Sequence, residues 1–98
     1  MKYNISILVS ANNDLLEIYD ILTEFGGNPP NIFTESFYKF LDSVSNMPLM
    51  FPQYVRKPKY RKAVLAYNYS AFYQIDKKDE TVKIYRILHG KQNIDNLV

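Results

Sequence analysis

The spacing of the apolar residues changes once along this chain, and that change bounds what it can fold into. Between Leu15 and Val44 large apolar side chains recur every three or four residues; beyond Tyr60 they recur mostly every second residue. The first spacing lines one face of an α-helix, the second one face of a β-strand. A chain of 98 residues has room for one modest core, so both kinds of element must share it in a single domain spanning residues 1–98. The fold class is therefore α+β.

The elements follow in order. Tyr3, Ile5, Ile7 and Val9 alternate and predict a first strand. Ser10 offers a helix N-cap, with Asn13 as a weak capping-box partner. Leu15, Ile18, Leu22 and Phe25 make one stripe of an amphipathic helix. Asp14, Glu17, Asp20 and Glu24 spread around the same cylinder and read as a solvated face, not as a carboxylate site. Gly26-Gly27 ends this helix, and Asn28-Pro29-Pro30 starts another. Its stripe is Phe33, Phe37, Phe40, Leu41 and Val44, and Asn46-Met47-Pro48 closes it. The short link predicts an antiparallel helical hairpin over residues near 10–25 and 29–46.

A loop from Met47 to Lys59, punctuated by Pro48, Pro52 and Pro58, leads to three strands. These are Arg61 to Ala66, Tyr69 to Ile75 and Thr81 to His89, with turns at Tyr67-Asn68 and Asp76–Asp79. Short links make them an antiparallel meander. The expected architecture is a four-stranded antiparallel sheet with the helical hairpin on one face, in the order strand-helix-helix-strand-strand-strand. With 9 Tyr and 6 Phe, the chain has more aromatic surface than one helical layer needs. The opposite sheet face, with the edge near Leu65 and Phe72, is then a candidate partner surface.

Composition removes several chemistries. Cysteine is absent, which excludes disulfide scaffolds and thiolate chemistry. His89 is the single histidine, so no histidine-based metal cluster can form. No glycine-rich phosphate loop exists. Neither a metal nor a cofactor is expected. A net charge of +2 is too balanced for a generic nucleic-acid coat, so any basic site must be local. The densest run is Arg56, Lys57, Lys59, Arg61 and Lys62, flanked by Tyr54 and Tyr60. It could hold phosphates or an acidic protein patch, or be a solvated loop edge. Arg86 sits by alternation with Val82, Ile84 and Leu88, and a charge in that row must pair or reach the rim. His89 could serve as a general acid or simply satisfy local hydrogen bonds. The apolar run Ile5 to Val9 is far shorter than the ~20 residues of a membrane span. The expectation is a soluble, cytoplasmic protein with no membrane partner.

Four stretches carry a resemblance to a known family. They are the opening strand running into Ser10-Ala11 and Asp14-Leu15, the second helix ending at Met47-Pro48, YRKAVLAYNYSAFYQID from Tyr60 to Asp76, and VKIYRILHGKQN from Val82 to Asn93. In these the chain resembles the RelE/ParE toxins of bacterial type II toxin–antitoxin systems. RelE-like members cleave mRNA on the ribosome with clustered basic residues; ParE-like members poison DNA gyrase without a known nuclease site. The RILHGKQ ending is similar to the ParE branch and to members known only as plasmid stabilisation proteins. Ser70 stands where RelE-like nucleases usually carry a strand arginine, and no Tyr follows His89.

The resemblance implies a non-enzymatic toxin that inhibits DNA gyrase. A cognate antitoxin would neutralise it in a hetero-oligomer by laying a disordered segment across it. Target contacts would fall on Arg61, Arg86, His89 and Lys91, and antitoxin contacts near Leu65 and Phe72. The alternative is a ribosome-dependent mRNA endoribonuclease, with Arg61, Lys62, Arg86 and His89 as its active site.

Overall fold

Strand β1 (Asn4–Ile7) runs almost directly into helix α1 (Val9–Thr23), and helix α2 (Pro29–Asn46) returns antiparallel to it. The computed structural model describes residues 2–90. Strands β2 (Arg61–Val64), β3 (Tyr69–Asp76) and β4 (Thr81–His89) complete it, with a single 3-10 turn at Ala66–Asn68 between β2 and β3. The sheet order is β1-β4-β3-β2. The meander of β2, β3 and β4 is antiparallel as expected, while β1 lies parallel to β4, so the sheet is mixed.

The helical stripes decide which way the hairpin faces. Ile18, Leu22, Phe33, Phe37, Phe40 and Val44 are all buried against Ala71, Tyr73, Val82 and Ile84 of the sheet. Phe33 touches Tyr19, Phe37 and Tyr69 with ring centroids 6.0, 6.4 and 5.4 Å apart. Such contacts add to the area term that burial alone supplies. The end of α2 is fastened to β1 by Tyr3 N–H donating to the Ser45 carbonyl at 2.9 Å and Ser45 Oγ donating to the Tyr3 carbonyl at 2.7 Å.

Two local expectations are corrected. Ser10 does not cap α1, because the helix begins one residue earlier at Val9; its hydroxyl instead donates to the Tyr85 carbonyl at 2.8 Å. Phe25 is not part of the buried stripe. The helix stops at Thr23, and Gly26 and Gly27 turn the chain with φ of +69° and +76°, leaving Phe25 73% exposed.

The 47–60 segment passes around the β2 edge: Phe51 packs on the helix-side core, while Tyr54 and Tyr60 cover part of the face away from the helices. Tyr60, Phe72 and Leu88 form a second buried cluster, with Tyr54 and Tyr85 packed on it. The segment is laced to the start of β2: Lys62 N–H donates to the Pro52 carbonyl at 3.1 Å, and Tyr54 N–H to the Tyr60 carbonyl at 2.8 Å. On the other side of the sheet, Tyr73 Oη donates to the Pro48 carbonyl at 2.9 Å. Among the described residues no helix is long and apolar enough to cross a membrane.

Candidate functional site

Strand β1 pairs with β4 only as far as Ile84, and β4 continues to His89. The first turns of α1 cover the edge left open. Leu8 N–H donates to the Ile84 carbonyl at 3.0 Å and Ser10 Oγ to the Tyr85 carbonyl. One turn further, the Asp14 carboxylate accepts the Ile87 N–H at 2.9 Å and both ends of the Arg86 fork, Nε at 2.8 Å and Nη2 at 3.0 Å. Asp14 thus replaces a missing strand. It satisfies an edge amide and a guanidinium that burial would otherwise leave costly. Its hydrogen bonds hold the Arg86 guanidinium above its ordinary pKa, against an opposing effect of burial.

This arrangement corrects two readings of the sequence. Asp14 is not on a solvated face; it is 8% exposed. Nor does Arg86 share a row with Val82 and Ile84. A β-bulge intervenes: Phe72 pairs with Arg86 but Tyr73 with Ile84, so Tyr85 is an extra residue on β4. The phase of alternation flips there. Ile87 joins the helix-side core, and Leu88 joins Phe72 on the other face. The signal for the clamp was the pair Ser10 and Asp14, one helical turn apart on one face of α1.

Arg61, Lys62, Arg86 and His89 do not converge. Arg61 lies on the helix side, in register with Tyr73, and its Nη1 donates to the Phe51 carbonyl at 2.7 Å. Lys62 lies on the other face opposite Phe72, its Nζ 5.6 Å from the Tyr54 ring centre. Lys62 and Arg86 occupy the same cross-strand row, with Phe72 between them. His89 closes the far end of β4 beside Tyr69, ring centroids 5.1 Å apart. Lys91 lies outside the described residues. Ser70 is buried beneath the loop-covered face, opposite Leu88.

Leu65 and Phe72 are not surface residues. Leu65 is 7% exposed and belongs to the helix-side core; Phe72 is 1% exposed under Tyr54, whose ring centre is 5.3 Å away. Leu65 is buried with the residues of the helical stripes, and Phe72 is covered by Tyr54 and Tyr60, which use part of the aromatic excess for a second layer. Base stacking by the flanking tyrosines is likewise pre-empted. Tyr60 is fully buried, and Tyr54 is held between Phe72 and Lys62.

Two concavities meet at His89 and Tyr69. One, of about 220 Å³, is bordered by Asp14, Glu17 and Ile87. The other, of about 500 Å³, is bordered by Leu22, Phe25, Pro29 and Tyr67. Burial and the neighbouring Glu17 carboxylate both push the Tyr69 phenol above its ordinary pKa. Among the described residues no three His, Asp or Glu side chains gather where they could hold a metal ion.

Residues 5–94 match the family model for the ParE toxin of the type II toxin–antitoxin system parDE. The chain belongs to this family of toxins. A sequence search among curated proteins returns no significant match. Solved structures share the fold across almost the whole chain. This ParE-family toxin resembles the Pseudomonas aeruginosa chromosomal ParDE system with a TM-score of 0.72 at 16% identity, covering 90% of this chain and 96% of that one. The Mycobacterium tuberculosis RelBE2 complex gives 0.67 at 24% identity, covering 91% and 99%. The isolated E. coli RelE toxin gives 0.63 at 16% identity, covering 98% and 99%. ParE and RelE toxins therefore share one framework with this chain, and the target has to be argued from its own side chains.

Proposed function

We propose that this toxin acts as a gyrase poison of the ParE kind, kept inactive by a cognate antitoxin, and performs no covalent chemistry itself. The observation that carries the reading is the clamp on Arg86. A metal-free ribonuclease must stabilise the charge of a pentavalent phosphate with free cations. Here the guanidinium in the middle of β4 is tied by both ends of its fork to Asp14. Arg61 is spent on a loop carbonyl, and Ser70 brings no charge to the central strand. The remaining target contacts are His89, at the end of β4, and Lys91 beyond it. Arg61 and Arg86 act by holding the loop and α1 in place.

The test uses purified toxin with gyrase, supercoiled plasmid and ATP. Protein-linked broken DNA should accumulate after detergent quenching. His89→Ala should leave that activity within a few-fold, since a surface contact is spread over many groups. The rival outcome is cleavage of mRNA on programmed ribosomes that falls ~10²–10⁴-fold in His89→Ala, the loss expected of a general acid. That result would replace gyrase with the ribosome as the target. Co-purification with the product of an adjacent reading frame tests the antitoxin.

A further inference from the structure

Strand β3 outruns β2 at one end. The pairing of β2 begins at Arg61 opposite Tyr73, so Gln74 to Asp76 have β4 on one side and no paired strand on the other. The Lys62 amide points outward to the Pro52 carbonyl, and the Leu65 amide points inward to the Tyr69 carbonyl. By the alternation of an antiparallel ladder, Arg61 and Tyr73 then form a hydrogen-bonded pair, and the Ile75 amide faces the same edge as that of Tyr73. Among the described residues no backbone carbonyl of the 47–60 segment accepts it.

A polar cavity of about 180 Å³ opens at this end of the sheet. Three cations from three segments border it: Lys59 from the 47–60 segment, Arg61 from β2 and Lys77 from the turn after β3. Each is held by its own neighbours. Gln53 Nε2 donates to the Pro58 carbonyl at 3.1 Å and steadies the turn that carries Lys59. Arg61 is anchored through Nη1 to the Phe51 carbonyl, which leaves Nε and Nη2 without an acceptor among the described residues. None of the three cations has a carboxylate within ion-pair distance among those residues. Asp76, next to Lys77, is engaged instead by the Asp79 amide and by Lys83. Like charges around one concavity repel, and an anion seated among them reverses that cost.

The donors narrow the ligand. Lys59, Arg61, Lys77 and the Ile75 amide offer N–H groups only, so the occupant is an anion rich in acceptors. A carboxylate brings one charge against three. A single phosphate group carries about −1.5 to −2 near neutral pH and leaves one cation unmatched. Two linked phosphates match all three. A DNA duplex fits poorly, because its phosphates carry one charge each and are spaced along a convex rod. A spread row of cations serves such a rod better than a cavity does.

We propose that this cavity binds the diphosphate group of a small molecule, held by Lys59, Arg61, Lys77 and the Ile75 amide. No histidine or carboxylate borders it, so it binds the group without a general acid or base to cleave it. The site lies six residues along β3 from Tyr69, the neighbour of His89, or roughly 20 Å away. It is therefore separate from the proposed target contacts and does not depend on which macromolecule the toxin attacks. The ligand ties the 47–60 segment, β2 and the β3–β4 turn together, so binding stabilises the fold.

The test is a titration of the ¹⁵N-labelled full chain, in phosphate-free buffer, with inorganic pyrophosphate, ADP, inorganic phosphate and a short DNA duplex. Pyrophosphate and ADP should shift the amides of Ile75 and Lys77, raise the melting temperature, and bind about tenfold tighter than inorganic phosphate. Tighter binding of ADP than of pyrophosphate assigns the group to a nucleotide; the reverse, or equality, assigns it to a free diphosphate. Lys59→Gln and Lys77→Gln, both at exposed positions, should each weaken binding about tenfold. Lys39→Gln, on α2, should leave it unchanged. Inorganic phosphate binding as tightly as pyrophosphate would overturn the proposal. So would tighter binding of the duplex at the same amides, shifts that leave Ile75 unmoved, equal weakening by Lys39→Gln, or no shifts at millimolar ligand. None of these outcomes bears on gyrase cleavage, so the two readings fail separately.

Discussion

Asp14 accepts three hydrogen bonds, two from the Arg86 guanidinium and one from the Ile87 amide, across 72 and 73 residues of sequence. The Asp14 side chain is 10% exposed and that of Arg86 26%, so the pair is only partly screened by water. Arg86→Met leaves a nearly buried carboxylate with one donor and should cost about 3 kcal/mol in urea unfolding. Asp14→Asn should cost roughly 1.5–3 kcal/mol, because an amide nitrogen cannot accept and one of the three donors loses its partner. Replacing both by apolar residues should cost less than the sum. If either single change costs under about 0.5 kcal/mol, a level typical of surface substitutions, the clamp does not hold α1 to the sheet. The Tyr60 hydroxyl is the opposite case. It is buried without a hydrogen-bond partner among the described residues. Burial pushes its pKa up, and the neighbouring Gln74 side chain offsets only part of this. Tyr60→Phe should therefore stabilise the fold by about 1 kcal/mol, read by the urea midpoint at unchanged slope.

At the scale of elements, the turn between β2 and β3 is made by Tyr67 and Asn68, both in the left-handed region at φ of +59° and +64°. Two successive positive φ values suit the twist of a tight hairpin, and Asn-Gly is the usual solution. A tyrosine in the first of those positions is strained, since its Cβ crowds the carbonyl. The residue is 43% exposed and borders the apolar groove near Phe25, so the loss of packing on replacement is small. Tyr67→Asn should raise stability by about 1 kcal/mol, the low end of the left-handed penalty. Thermal unfolding reads this directly, and a lower midpoint would mean that the ring contributes more in the groove than the turn loses. The 47–60 segment is the other element with a definite role. It provides a second cover for the sheet, which turns a two-layer expectation into a sheet buried on both faces along β3, where Tyr69 to Tyr73 are all buried.

For the whole molecule, the aromatic core makes stability sensitive to alkali. Tyr60, Tyr69 and Tyr73 all have raised pKa values, with burial the largest cause in each, and Tyr73 reaches about 12. A raised phenol pKa means that the folded state holds its proton more tightly than the unfolded chain. The sign is then set by proton uptake: the contribution is fully present below the ordinary tyrosine value of 10.0 and is lost as pH climbs through the folded value. Melting temperature should fall between pH 10 and about 12. Phenolate absorbance should show these three tyrosines ionising with unfolding, after the exposed ones. Full ionisation of all nine tyrosines by pH 11 in a chain that remains folded would contradict this packing.

The order of elements, the helix-side core and the turn at Tyr67-Asn68 were legible in the sequence because each rests on local spacing. A stripe such as Phe33, Phe37, Phe40 and Val44 states its own period and its buried face. The partners of a strand are not local. Nothing within Asn4–Ile7 says that it lies parallel to β4, since alternation describes the side chains and not the neighbour. The extra residue at Tyr85 carries no mark in the sequence, yet it moves Arg86 out of the apolar row and within reach of Asp14. The aromatic excess was visible, but only the folding of residues 47–60 onto the sheet decided that it covers Phe72 instead of offering it to a partner. Periodicity, composition and turn chemistry are properties of neighbours in sequence, and they settled the fold class. The site depends on pairings some seventy residues apart, which only the closed sheet brings together.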